Sequence, residues 1–400
     1  MNRLIIIGNG FDLAHELPTK YCDFINDYWD TVSSSNHSDE FINFSKSNFI
    51  FKKPISLSSI LEHLKDSGAF NRASVKSANL GYFEHGNRMA INYKNRFFEI
   101  LCEKFIETNW VDIEMEYYKQ LKYIIGDADD INIENEVFQK VLKLNIEFKQ
   151  LKDKFNEYLV RKVVPEVPNK KYQKMADILK PIIIYKNEAY ADFLNEFPYK
   201  TVKEIEKEIR STDALLDSAL QGSAYRLKET FILNFNYTET ISNYSNDLLD
   251  YDTVYIHGQA HNKINPINFG YGNEMDGKYE LIENKNQNEY LKYMKSFAYS
   301  NNSGYRKFLN FIEKNKFQVH ILGHSCGLSD RTLLNTIFEH ENCVSIKVFY
   351  HKYKTADAHG NMDNYTDIVQ NISRQFNKKK MMREKVVSRE NSQCLPQIKD

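Results

Sequence analysis

LIIIGNGFDLAHELPTKYCDF, residues 4–24, is the stretch that decides the fold. Leu4 to Ile7 are four consecutive apolar residues, a short run that suits a strand buried on both faces. The run stops at Gly8-Asn9-Gly10, where two glycines allow positive φ and a close backbone approach by a ligand. Beyond the turn, Thr19 is placed to cap a helix carrying Tyr21, Phe24 and Ile25 on one side. Strand, glycine turn and helix N-terminus together make the anion cradle of α/β nucleotide-binding proteins. The spacing is not that of a hydride-transfer dinucleotide domain. Leu13 stands where a third glycine would fall, and no second strand ending in an acid follows.

Working outward, a chain of 400 residues is long enough for two or three domains, or for one domain with a large insertion. A formal net charge of −1 argues against a dedicated nucleic-acid binder driven by counterion release. The chain runs straight into its first strand, so no secretory leader is expected, and no apolar run approaches the roughly 20 residues that span a bilayer. Five scattered cysteines fit reduced thiols in a cytoplasm, and none forms a C-x-x-C pair. His257 and His261 are four apart but Gly258 interrupts them, so no metal site is expected.

Along the chain, Phe97, Phe98, Leu101 and Phe105 recur at helical spacing, and Asn109 to Glu114 opens a second helix through Tyr117, Leu121 and Ile124. Val137, Val141, Leu144, Phe148, Leu151, Phe155 and Tyr158 then alternate by four and three. This seam predicts a long helix packing within its own domain, or else joining two copies through residues 137–159. A further helix is expected from Thr201 to Leu220. Strand-like runs follow at 230–237, 253–256, 317–322 and 344–350, with helices between and after them. The alternation predicts an α/β, Rossmann-like, mostly parallel sheet that pairs the N-terminal strand with these four. Residues 1–36 plus 226–376 would form this nucleotide-binding domain and 37–225 a helical insertion. The charged tail, 377–400, is expected to be solvated.

Ligands of open parallel sheets bind outside the carboxyl ends of the strands. That rule selects Gly8-Asn9-Gly10, Asn234 to Tyr237, His257-Gly258 and Gly323-His324-Ser325, each directly after a strand, and makes them converge on one crevice. Asn, Asp and His suit sugar hydroxyls and phosphates and supply a general base. Asp112 and Glu114 read as first-turn acids favourable to a helix dipole.

The opening G-N-G-F-D-L-A-H-E-L-P-T resembles the AbiH family of bacterial abortive-infection proteins. The resemblance extends to Asn109-Trp110-Val111-Asp112-Ile113-Glu114, Phe235 to Glu239, Tyr255 to Gly258, and Gly323-His324-Ser325 with Ser329-Asp330. More distantly, the order of these motifs is similar to the sirtuin-like (SIR2) NAD-binding fold. Gly8 to Gly10 and Leu17-Pro18-Thr19 match its two opening motifs, and Asn236 and His257 its later Asn and His. The four-cysteine zinc module of the deacylating sirtuins has no counterpart here, so the NAD-hydrolysing antiviral branch is the better comparison.

The resemblance implies NAD as substrate, with its diphosphate on the amides of Gly8, Asn9 and Gly10. Asn236 would contact the nicotinamide ribose, His257 would act as base, and Asp12 and Glu114 would stabilise developing charge. Pro18, Tyr237, Gly258, Gly323, His324 and Ser325 would line the nucleotide. It also implies a phage-derived trigger. Two other readings stand beside it. Gly323-His324-Ser325-Cys326-Gly327 fits a G-x-S-x-G nucleophile elbow, with Asp357 and His359 downstream for a serine hydrolase. Alternatively, the crevice senses a nucleotide or a phage component without turning anything over.

Overall fold

The computed structural model describes residues 1–47, 56–60, 78–82, 88–108, 112–126, 134–167, 171–185, 188–213, 224–248, 251–353, 355–357, 360 and 362–398. Its centre is a six-stranded parallel sheet of β1 (Asn2–Ile7), β2 (Thr230–Asn234), β3 (Tyr251–Tyr255), β4 (Phe317–Leu322), β5 (Cys343–Tyr350) and β6 (Gln393–Cys394). In space the order is β6-β5-β4-β1-β2-β3. This is the doubly wound order of Rossmann sheets, and it reverses between β1 and β4. Every residue of β1, β2 and β4 is buried, as continuous apolar runs require in a sheet covered on both faces.

Register sets the site. Tyr255, Asn234, Ile7, Leu322 and Phe349 lie in one row across the sheet. The loops beginning at Gly8, Phe235, Ile256 and Gly323 therefore leave from the same edge. On one face, Leu4, Ile6, Phe231, Leu233, Val319 and Ile321 pack against helices Gly304–Lys314, Arg331–Phe338 and Tyr365–Gln375. On the other, Ile5, Ile7, Ile232 and Phe349 pack against α1 (Asn9–Ala14), helix Gln173–Leu179 and the turn Thr240–Asp247.

The second core belongs to the middle of the chain. It joins α2 (Tyr21–Val32), α3 (Arg96–Thr108), α4 (Ile113–Ile125) and α5 (Glu134–Tyr158) to residues 269–294. The packing thus crosses the boundaries drawn on the sequence. The buried residues of α2 face the helical core, whereas Met175, Ala176 and Leu179 face the sheet. The middle is also not wholly helical. Residues 37–93 contribute a four-stranded antiparallel sheet, whose short strands of mixed polarity carry no clear period.

All seven seam residues of α5 are buried, and their partners are in the same chain. Phe148 meets Tyr117 at 4.2 Å between ring centroids and Phe269 at 5.3 Å; Phe155 meets Tyr21 at 5.2 Å and Phe24 at 5.5 Å. The seam residues are therefore packed within their own chain. Phe148→Ala is expected to cost about 3–5 kcal/mol in urea unfolding, against about 0.5 kcal/mol or less for exposed Ile146→Ala.

The charged tail is also corrected. It forms helix Lys379–Lys385 and edge strand β6, held by buried Val387 and Leu395. The Lys385 ammonium donates to the carbonyls of Phe338 and His340, the last of a neighbouring helix, at 2.9 Å each.

Candidate functional site at the switch point

The site grows from the loops on either side of the β1/β4 reversal. Gly8 and Gly10 are needed here for space rather than for φ. Gly8 has an extended φ of −129°, and an added Cβ would lie 2.5 Å from the Cα of His324. At Gly10 it would lie 2.8 Å from the Cα of Gly323. The close backbone approach comes from the loop after β4, not from a ligand. The amides follow the same logic. Gly8 N donates to Leu322 O at 3.1 Å and Gly10 N to Gly323 O at 2.7 Å. Two of the three expected cradle amides are thus already used, which corrects the picture of an open glycine cradle. Asn9 stays exposed at the rim and accepts a hydrogen bond from the Thr19 hydroxyl. Thr19 accordingly does not cap α2; Lys20 holds that position, its N–H donating to Asp23 at 3.0 Å.

Asp12, one turn into α1, is buried beneath the loop after β2. The Thr238 hydroxyl donates to Asp12 Oδ2 at 2.6 Å, while Oδ1 has no partner. Burial pushes this carboxyl up to about 6, against the smaller opposing effect of the Thr238 hydrogen bond and the nearby polar groups of Thr240 and Asn236. Asn236 is not a helix cap. Its amide N–H donates to Asn234 Oδ1 at 2.9 Å and its buried Nδ2 has no partner. Tyr237 lies half-buried between Phe155 of α5, 5.9 Å away, and the His257 ring, 6.3 Å away.

His257 and His324 flank Phe235 at 4.9 and 4.3 Å and share one carboxylate, Asp330. His257 Nε2 is 3.1 Å from Asp330 Oδ1, and His324 Nε2 is 3.6 Å from Oδ2. His324 Nδ1 accepts from Cys326 N at 3.0 Å, so in the neutral ring the proton sits on Nε2, facing Asp330. Lys295, fully buried, reaches the same Asp330 Oδ1 at 2.8 Å and Glu114 Oε2 at 2.7 Å. Gly270 N donates to Glu114 Oε1 at 3.2 Å. Burial, with the charges of Asp330 and Asp112, pushes Glu114 up to about 8 against the pull of Lys295. Asp330 is buried as well, but Lys295 and His257 hold it well below the usual carboxylate range. Desolvation, then the Lys295 charge, draws His257 down to about 4.

The structure therefore gathers Gly8, Gly10, Asp12, Asn236, Tyr237, His257, Gly323 and His324 at one edge. Gly258 supports the loop: its φ is +75°, and a Cβ there would lie 2.1 Å from Pro266 O. Pro18 stands apart from the buried groups, its carbonyl accepting from Tyr158 OH at 2.7 Å. Ser325 is exposed, and its carbonyl accepts from Asn371 at 2.8 Å. Positive φ in that turn falls on Gly323, +73°, and Cys326, +53°, whereas a nucleophile elbow strains the serine itself. Asp357 lines a cleft of about 490 Å³ with Leu13, Glu16 and His351, a lining that does not include Ser325; His359 lies outside the described residues. His261 is exposed while His257 is buried, so the two do not share a metal face.

Asp112 is a helix cap, accepting from Met115 N at 2.9 Å, while Glu114 points into the site. Sequence reasoning missed Lys295 altogether, because nothing in the spacing of KYMKSFAYS marks it. In the sequence Asp330 was legible only as part of the family resemblance. It occupies the N-cap of helix Arg331–Phe338, but its carboxylate is spent on the site.

The motifs and their meeting place can be set beside known proteins. The family model described as bacteriophage abortive infection AbiH matches residues 4–352. The chain belongs to the AbiH family. Its role is accordingly anti-phage abortive infection. No curated protein matches this AbiH chain. Among its described residues no helix is long and apolar enough to cross a membrane, and no group of three or more His, Cys, Asp or Glu is arranged to hold a metal ion.

Asp12 supplies a pH test. Its pKa is higher folded than the ordinary 3.8, so the folded state holds the proton more tightly and stability falls as pH rises from about 4 to 6. Asp12→Asn removes that cost. It is expected to raise stability at pH 8 by about 1–3 kcal/mol while leaving it nearly unchanged at pH 4, read from urea midpoints.

Proposed function

We propose that this AbiH protein binds NAD at the switch-point crevice and hydrolyses its nicotinamide–ribose bond. One observation carries the reading. Asp12 and Asn236 lie more than 200 positions apart, yet each brings a buried polar atom without a hydrogen-bond partner to the same sheet edge, where His257 stands with its Nε2 3.1 Å from Asp330. Buried polar atoms left unpaired cost free energy unless a ligand or water completes them. A ribose, with two hydroxyls and an electron-poor anomeric carbon, suits an amide, a carboxyl and an imidazole.

In this mechanism the C1′–N bond breaks with its electron pair leaving on nicotinamide, and a water oxygen bonds to C1′. Asn236 Nδ2 holds a ribose hydroxyl or that water. His257 Nε2 faces Asp330 and carries the imidazole proton, so Nδ1 is the acceptor for the proton that water gives up. Asp12, once ionised, stabilises the cationic ribosyl centre. Asn9 offers its side chain to the diphosphate at the rim. A phage-derived molecule would be the trigger.

The test is incubation of purified protein with NAD, with nicotinamide and ADP-ribose followed by chromatography. Stoichiometric release of both supports the reading. Tight NAD binding without release sinks it in favour of a sensor, and fluorophosphonate labelling that depends on Ser325 would sink it in favour of a serine hydrolase.

A further inference from the structure

Asp330 Oδ1 is contested. His257 Nε2 approaches it at 3.1 Å without hydrogen-bond alignment, while the Lys295 ammonium takes it at 2.8 Å. Lys295 is held there from the far side by Glu114 at 2.7 Å, and Glu114 belongs to α4, in the other core. The Lys295 backbone is fixed too: its N–H donates to Tyr271 O at 2.9 Å, and its carbonyl accepts from Asn268, whose own N–H donates to His257 O at 2.6 Å. Charged and titratable groups thus face His257 from four sides. They are Asp330 and His324 after β4, Lys295 on the 257–303 connection, Tyr237 after β2, and Glu114 on α4 behind Lys295.

We infer that Lys295 is a positioning residue of this site: by occupying Asp330 Oδ1 it keeps the His257 imidazole unprotonated and ready to accept, while Glu114 contacts the same ammonium from the far side. The arrangement solves a problem of burial. A carboxylate beside an imidazole ordinarily promotes the imidazolium, which cannot accept a proton. An ammonium on the same carboxylate oxygen opposes that pull while the ring stays within 3.1 Å of Asp330. The inference rests on the NAD reading for its catalytic meaning, but its physical content is tested without nucleotide.

The experiment is a ¹³C-histidine NMR titration of the full chain, with the His257 signal assigned by His257→Gln. Lys295→Met is expected to raise the His257 midpoint by about 1–2 pH units. Glu114→Gln is expected to leave it in place or lower it, and Lys295→Arg to keep it low. Lys295→Gln replaces Lys295→Met where the latter does not fold. An upward shift in Lys295→Met without one in Glu114→Gln supports the inference, since simple loosening of the site would move both upward toward the ordinary histidine value. Two upward shifts, or none, overturn it. In the NAD assay, Lys295→Met should move the acid limb of kcat/KM upward by the same amount. A shifted midpoint in a protein that releases no nicotinamide would refute the hydrolase reading alone.

Discussion

His257→Ala and Asn236→Ala are each expected to lower nicotinamide release by about 10²–10⁴-fold, while Ser325→Ala leaves it within about twofold. The asymmetry follows from placement. His257 and Asn236 are buried with polar atoms unsatisfied, whereas Ser325 is exposed on the outer side of its turn. His257→Ala removes the acceptor for the water proton; Asn236→Ala removes the amide that holds the ribose. The loss should fall on kcat more than on KM for His257, because proton acceptance is made only in the transition state. Both variants should keep the wild-type unfolding midpoint within about 1 kcal/mol, since neither fills an apolar core position. A Ser325→Ala variant as impaired as His257→Ala would move the chemistry to the other turn.

The second large effect is on the scaffold. Gly323→Ala is expected to destabilise the fold by about 2–5 kcal/mol and to abolish activity with it. Gly323 has a φ of +73°, and an added Cβ would lie 2.2 Å from Phe11 N and 2.5 Å from Gly10 C. Both neighbours are backbone atoms at the start of α1, so relief requires β1 and β4 to part at the switch point. Gly277→Ala is the control. It has open space around it and no positive φ, so the change should stay within about 0.5 kcal/mol. Urea midpoints of the two variants decide the matter.

The sheet was legible because its strands are buried on both faces. LIII, TFILN, FQVHIL and the run at 343–350 are short apolar segments with a turn or polar break at each end, and each became a strand. The convergence of Gly8, Asn236, His257 and His324 was legible for the same reason, since a parallel sheet gathers the ends of its strands at one edge. Three things were not legible. The purpose of Gly8 and Gly10 depends on which loop lies across them, and two strands brought together from positions 300 apart leave no local trace. Lys295 gains its meaning only from two carboxylates distant in sequence. The antiparallel strands in 37–93 alternate too irregularly to show a period of two.

The central claim is that Asp12, Asn236 and His257 surround one nucleotide. A crystal structure of the His257→Ala protein soaked with NAD tests it most directly. The account predicts the nicotinamide ribose within about 3.2 Å of Asn236 Nδ2, with Asp12 on the same side. Nucleotide density found instead in the cleft beside Leu13 and His351, or against Ser325, would contradict it.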